Sequence, residues 1–141
     1  MATTRTANAH WEGSLMEGSG IVSLDSSGAG KFDVSWPSRA EQANGLTSPE
    51  ELIAAAHSTC YSMALSHALA GDGHAPQAVD TRADVSFQAG EGITGIALTV
   101  RAKVDGLSNE QFLGYAEDAK TGCPVSQALT GTTITLDAAL A

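Results

Sequence analysis

Period-two alternation is clearest in two stretches of the second half of the chain. In AVDTRADVSFQ, residues 78–88, Val79, Thr81, Ala83, Val85 and Phe87 share one face. In ITGIALTVRAKV, residues 93–104, Ile96, Leu98, Val100, Ala102 and Val104 do the same, with Arg101 and Lys103 turned away. Both stretches predict half-buried strands, and the GEG at 90–92 between them predicts a hairpin. A further strand, TTITLDAAL, closes the chain. The first forty residues are cut up by the glycine and serine clusters EGSG and SSGAG, and they predict three short strands around 8–15, 20–25 and 31–36.

Two helical regions interrupt these strands. Ser48 and Glu51 form an S-x-x-E capping box, and Pro49 stands at the first helical position, where its missing N–H costs nothing. Leu52, Ile53, Ala56, Cys60, Met63, Ala64 and Leu69 recur at helical spacing and predict a broad buried face, ending near the GDG at 71–73. A second region starts at Ser108, with Gln111 completing another capping box, and runs to about Lys120. Gly122 breaks it, and Pro124 starts a short second piece, PVSQAL. The expected order is βββ–α–ββ–αα–β. Long helices among mostly hairpin-linked strands give an α+β fold rather than a doubly wound parallel sheet.

Length and composition narrow the class. A chain of 141 residues with 43% hydrophobic and 16% charged residues is expected to be one globular domain over 8–141, with a frayed start, MATTRTA, at 1–7. The net charge of −9 argues against a nucleic-acid partner, which needs a basic face, and against docking on an anionic membrane. Neither a long apolar run nor a basic-then-apolar start is present, so no transmembrane helix or signal peptide is expected and a cytoplasmic location is. Cys60 and Cys123 are the two cysteines. In a reducing compartment such a pair points to catalysis, redox chemistry or metal binding before structure.

What surrounds the thiols decides among these. A cysteine on a buried helix is a poor nucleophile, because desolvation disfavours the thiolate. Bringing a thiol from a pKa of ~8.5 to ~5.5 takes roughly 4 kcal/mol of preferential thiolate stabilisation. Arg39, in the polar loop before the first helix, is a better source of it than the strand residues Arg82 and Arg101. Cys123 differs: it directly precedes Pro124 at a helix start, where unpaired N–H groups favour an anion. On local physics Cys123 is the more acidic thiol, and spacing alone leaves open which cysteine attacks. His57 lies three residues before Cys60, but there is no C-x-x-C, and His10, His67 and His74 are scattered. No metal site is expected, and His57 reads as a satisfied helix histidine.

Together HWEG at 10–13, Arg39, SPEELIAAAHSTCYSMAL at 48–65 and GCPVSQAL at 122–129 resemble the OsmC/Ohr family of thiol-dependent peroxidases, in its OsmC (osmotically inducible protein) branch. The resemblance implies antiparallel sheets wrapped around two central helices in an entwined homodimer. It implies reduction of organic hydroperoxides to alcohols, in oxidative and osmotic stress defence, with no metal or flavin and an external thiol, a dithiol or a lipoylated protein, as reductant. By the same resemblance Cys60 is the peroxidatic cysteine, Cys123 the resolving cysteine, and Arg39 and Glu50 the catalytic arginine and glutamate. Glu51 is then only a capping residue. An apolar pocket for bulky hydroperoxides is expected from residues such as Met63, Leu65 or Phe112. The alternative is a non-catalytic redox sensor using the same two thiols. One consequence follows from helix geometry: Glu50 and Cys60, ten positions apart on one predicted helix, stand about 15 Å apart along the axis. A site needing both requires either a broken helix, against which the run of alanine, leucine and isoleucine between them argues, or a glutamate from a second chain.

Overall fold

Strands β1 (Asn8–Glu12), β2 (Ser19–Ser23) and β3 (Lys31–Val34) form an antiparallel sheet in the order β1-β2-β3. The computed structural model describes all residues, Met1–Ala141, which divide into two compact units, Met1–Leu52 and Ile53–Ala141. In the first unit β1 stops at Glu12 because Gly13 turns the chain at a φ of +90°. Gly18 lies so close to the carbonyls of Ser14 and Glu12 that a Cβ there would collide with backbone. Residues 1–7 carry no regular secondary structure, although the Thr6 N–H donates to Ser26 Oγ (2.6 Å) and its carbonyl accepts from the Asp25 N–H (3.0 Å).

The expected order misses one element. Trp36–Ala40 is a short helix, α1, so Arg39 sits on a helical turn and not in a loop, and the observed order is βββ–αα–ββ–αα–β. Ser35 caps α1 reciprocally with Ser38, and Pro37 presets the helical φ in its first turn. Five residues are too few for a periodicity signal, so the caps are its only mark in the sequence. Helix α2 (Pro49–Gly71) starts at the expected proline, but only half of the expected capping box forms: the Glu51 N–H donates to Ser48 Oγ (3.1 Å) without a return bond from the Ser48 N–H. The Glu51 carboxylate accepts from Thr47 Oγ1 (2.7 Å).

In the second unit, β4 (Ala78–Gln88) and β5 (Gly92–Lys103) form the expected antiparallel hairpin, with Gly90 and Gly92 at positive φ in its turn. Strand β6 (Ile134–Leu140) pairs with β5 in parallel, which corrects the expectation of wholly antiparallel sheets. The reason lies in the connection. Between β5 and β6 the chain passes through helices α3 (Asn109–Gly122) and α4 (Pro124–Ala128), a crossover long enough to return the chain in the same direction. Ser108 and Gln111 cap α3 reciprocally, as expected.

The core of this unit joins Ile96, Leu98, Val100 and Ala102 of β5 to Tyr61, Leu65 and Leu69 of α2 and Phe112, Ala116 and Ala119 of α3. Each large side chain buried here contributes about 1.5–3 kcal/mol. The Tyr61 hydroxyl donates to the Ala116 carbonyl (2.8 Å), tying α2 to α3. The fully buried stripe of α2 is His57, Tyr61, Leu65 and Leu69; of the expected face Leu69 is on it and Ile53, Cys60 and Ala64 pack against the core, but Ala56 is exposed and Met63 is 67% exposed. Small and apolar residues occur all round α2, so periodicity could not select the face.

Candidate active site

The two free thiols meet where the chain changes direction between α3 and α4. Cys123 ends α3 and precedes α4. Its N–H donates to the Ala119 carbonyl (2.9 Å), and its own carbonyl accepts from the Gln127 N–H (3.0 Å). An extended ψ of 126° between the two helices makes the break, and Pro124 starts the new helix. Cys123 is fully buried, Cys60 in mid-α2 is half-buried, and each thiol acts on the acidity of the other.

Their surroundings split the acidities. Burial and the neighbouring Cys123 thiol push the Cys60 thiol up, against a smaller opposing effect of the Val125 N–H. Burial also works against ionisation of Cys123, but the nearby Ser126 N–H, Cys60 thiol, Ser126 hydroxyl and Val125 N–H favour the thiolate and outweigh it, so Cys123 stands below its ordinary value. Within Ile53–Ala141 the surroundings thus favour ionisation of Cys123 over that of Cys60, the order that the local sequence suggests.

His57 and Ser126 complete the cluster. His57 Nε2 lies 2.7 Å from Ser126 Oγ, both residues are buried, and His57 Nδ1 has no hydrogen-bond partner. The histidine is thus half-satisfied rather than satisfied, and burial holds its pKa below the ordinary value. Ser126 was not singled out by sequence reasoning. Its only signal is its place three residues after Cys123, one helical turn into α4.

In Met1–Leu52 a second constellation forms. Arg39, on α1, meets Glu50, in the first turn of α2, side-on: Nε is 3.0 and 3.2 Å from the two carboxylate oxygens, and Nη2 is 2.9 Å from Oε1. The Glu50 side chain is 8% exposed and that of Arg39 32%. The forked donors match the planar carboxylate and fix the guanidinium in one orientation. Arg39 borders an apolar cavity of about 470 Å³ whose lining also includes Trp11, Leu15, Val22, Trp36 and Leu52. Of the residues expected to line a substrate pocket, Leu65 and Phe112 are fully buried in the core, whereas Met63 lines a separate open cavity of about 570 Å³ with Ser66, His67, Ala70 and Val79. The four predicted site residues thus come together as two pairs, Cys60 with Cys123 and Arg39 with Glu50. No group of three or more His, Cys, Asp or Glu side chains is placed to hold a metal ion. No helix is long and apolar enough to cross a membrane.

Comparison with known proteins matches this arrangement to one family. The family model described as OsmC-like protein matches residues 42–137. Peroxiredoxin OsmC of Escherichia coli (strain K12) is 44% identical over 140 residues, 97% of this chain and 96% of that one. Among solved structures, an organic hydroperoxide resistance protein OsmC from Legionella pneumophila superposes with a TM-score of 0.75 at 25% identity, over 99% of this chain and 98% of that one. The organic hydroperoxide resistance protein OhrB of Bacillus subtilis gives 0.73 at 26% identity, over 94% and 97%. With a family match across residues 42–137 and 44% identity along nearly its whole length, this chain belongs to the OsmC family.

Proposed function

We propose that this chain is a thiol-dependent peroxidase that reduces organic hydroperoxides to alcohols. The observation that carries the reading is the pair of free, neighbouring thiols in a protein 44% identical to a peroxiredoxin. The Cys60 thiolate attacks the outer peroxide oxygen. The O–O bond breaks, the alkoxide takes a proton and leaves as alcohol, and Cys60 becomes a sulfenic acid. Cys123 then attacks the Cys60 sulfur, releasing water and forming a disulfide, which an external thiol of the dithiol or lipoylated kind reduces in a cytoplasmic setting. The single OsmC-like domain over 8–141 holds no other redox group in this scheme.

Cys60 needs a cation, because its own surroundings raise its pKa. Arg39 supplies it, holding thiolate and peroxide, and Glu50 fixes Arg39 in place. Helix α2 runs without a break from Pro49 to Gly71, so helix geometry keeps Glu50 and Cys60 of one chain about 15 Å apart along the axis. The Arg39–Glu50 pair therefore serves the Cys60 of a second copy in a twofold homodimer. Each unit has exposed apolar side chains for that copy to cover: Ile21, Phe32 and Leu15 in Met1–Leu52, and Met63 in Ile53–Ala141.

The test is turnover with excess dithiol and cumene hydroperoxide. Many equivalents of peroxide consumed per chain support the enzyme; consumption of one, with a loss of two hydrogens in the intact mass, makes the protein a sensor. Cys60→Ser should abolish consumption. Cys123→Ser should stop at a sulfenic acid on Cys60 that a dimedone probe labels. Full dithiol-dependent turnover by Cys60→Ser would remove it from the nucleophile role.

A further inference from the structure

The mechanism above leaves one buried group without work: the His57 side chain. It is fully buried on the core stripe of α2, next to the thiols, where an apolar residue would pack without desolvation cost. One nitrogen, Nε2, meets Ser126 Oγ at 2.7 Å; the other, Nδ1, meets no partner. Ser126 is 3% exposed, and its hydroxyl also favours ionisation of the Cys123 thiol. A single hydroxyl thus acts on both histidine and cysteine in a site closed to bulk water.

The unpartnered Nδ1 sets the direction of this chain. In the tautomer protonated at Nδ1, a buried N–H would point at no acceptor, one of the rarest defects in native structures. Protonated at Nε2, the ring donates to Ser126 Oγ and leaves only an acceptor lone pair unmatched, the lesser penalty. A hydroxyl has one hydrogen. With its oxygen accepting from Nε2–H, Ser126 directs that hydrogen to the Cys123 sulfur. Burial disfavours the imidazolium, so the ring stays neutral, with Nδ1 bare, below the pH at which an ordinary histidine charges.

We infer that His57 and Ser126 form a one-way hydrogen-bond chain, Nε2–H to Oγ and Oγ–H to Sγ, that holds Cys123 as the ready thiolate for closing the disulfide. The inference rests on the peroxidase reading and deepens it. Ser126 touches the reacting sulfur and is catalytic; His57 acts through Ser126 and is a positioning residue. In the closing step the Cys123 thiolate forms the S–S bond with Cys60 while the S–O bond of the sulfenic acid breaks. Cys123 sulfur is oxidised and Cys60 sulfur reduced. The departing hydroxide takes up one proton from solvent, the equivalent of the one Cys123 gave up on ionising, so thiol plus sulfenic acid yield disulfide plus water. When the external thiol later opens the disulfide, the same hydroxyl receives the Cys123 thiolate as it leaves.

The experiment isolates the closing step. Protein is mixed with one equivalent of cumene hydroperoxide, quenched at intervals with a dimedone probe, and scored by intact mass for labelled sulfenic acid against disulfide, across a pH series. Ser126→Ala and His57→Leu should each slow closure roughly tenfold, the effect of one charge-assisted hydrogen bond, and move its pH midpoint upward. His57→Gln, whose amide can donate from nearly the Nε2 position, should restore most of the rate where His57→Leu does not. The titratable groups facing Cys123 are Cys60, His57 and Tyr61, all from α2, with Glu117 of α3 acting on Tyr61. None but His57 is altered in these variants. Ser126→Ala removes one oxygen and folds even if the leucine variant does not. An unchanged closing rate and pH midpoint in Ser126→Ala overturns the inference, as does a His57→Gln variant as slow as His57→Leu. Failure of the peroxidase reading looks different: the wild-type chain then forms neither sulfenic acid nor disulfide.

Discussion

Replacing Glu50 by alanine removes the carboxylate that orients Arg39 while leaving both thiols untouched. Three N–H···O contacts of 2.9–3.2 Å disappear at once. Breaking a fully buried ion pair costs about 3–5 kcal/mol, and an exposed one about 0–1. Glu50 is almost buried, but a third of Arg39 reaches solvent, so water takes over part of the lost interaction. The expected destabilisation lies between those limits, about 1–3 kcal/mol, read as a lower urea midpoint with an unchanged slope. On the proposed mechanism the loosened guanidinium also gives up about 2 kcal/mol of transition-state stabilisation, a fall in kcat/KM of about thirtyfold with cumene hydroperoxide. A double-mutant cycle with Arg39→Gln decides whether Glu50 acts through the arginine. Once Arg39 is gone, Glu50→Ala should cost little more. The same thirtyfold loss in both backgrounds would refute the reasoning, and so would wild-type kcat/KM in Glu50→Ala.

Co-expression of Cys60→Ser chains with Glu50→Ala chains should yield a heterodimer with one intact site; activity no higher than that of an impaired Glu50→Ala homodimer would falsify sharing across the subunits. Leu65→Ala, at a fully buried position on α2, should lower unfolding stability by about 2–5 kcal/mol in urea titration; a loss below ~1 kcal/mol would mean that the site collapses or is not core. Because burial lowers the His57 pKa, the unfolded chain takes up a proton that the folded chain refuses once pH falls below about 6.5. Stability should therefore drop as pH falls through that range, by up to about 1.4 kcal/mol per unit, until the folded-state value is reached. His57→Gln lacks this component, so urea titrations at two pH values either side of 6.5 should show a smaller loss for the variant, and equal losses would contradict it.

Local rules wrote much of this fold into the sequence. The alternation in residues 78–88 and 93–104 gave β4 and β5 with the correct buried faces, because a hairpin's register follows from its turn and its pleat. The reciprocal capping of α3 by Ser108 and Gln111 and the break at Gly122–Pro124 are likewise matters of a few adjacent residues. The resemblance in GCPVSQAL and SPEELIAAAHSTCYSMAL pointed to two thiols far apart in sequence that the structure sets side by side. Other features needed the tertiary structure. Apolar spacing put Ala56 and Met63 on the buried face of α2, but alanine, leucine, methionine and tyrosine surround the helix; packing against β5 and α3 chose Tyr61, Leu65 and Leu69. The direction of β6 depended on the crossover through α3 and α4. Ser126 gained meaning only when α4 carried its hydroxyl to within 2.7 Å of a histidine on another helix. Caps, turns and strand faces depend on neighbours in sequence, whereas burial, strand direction and the environment of a thiol depend on residues that only the folded chain brings near.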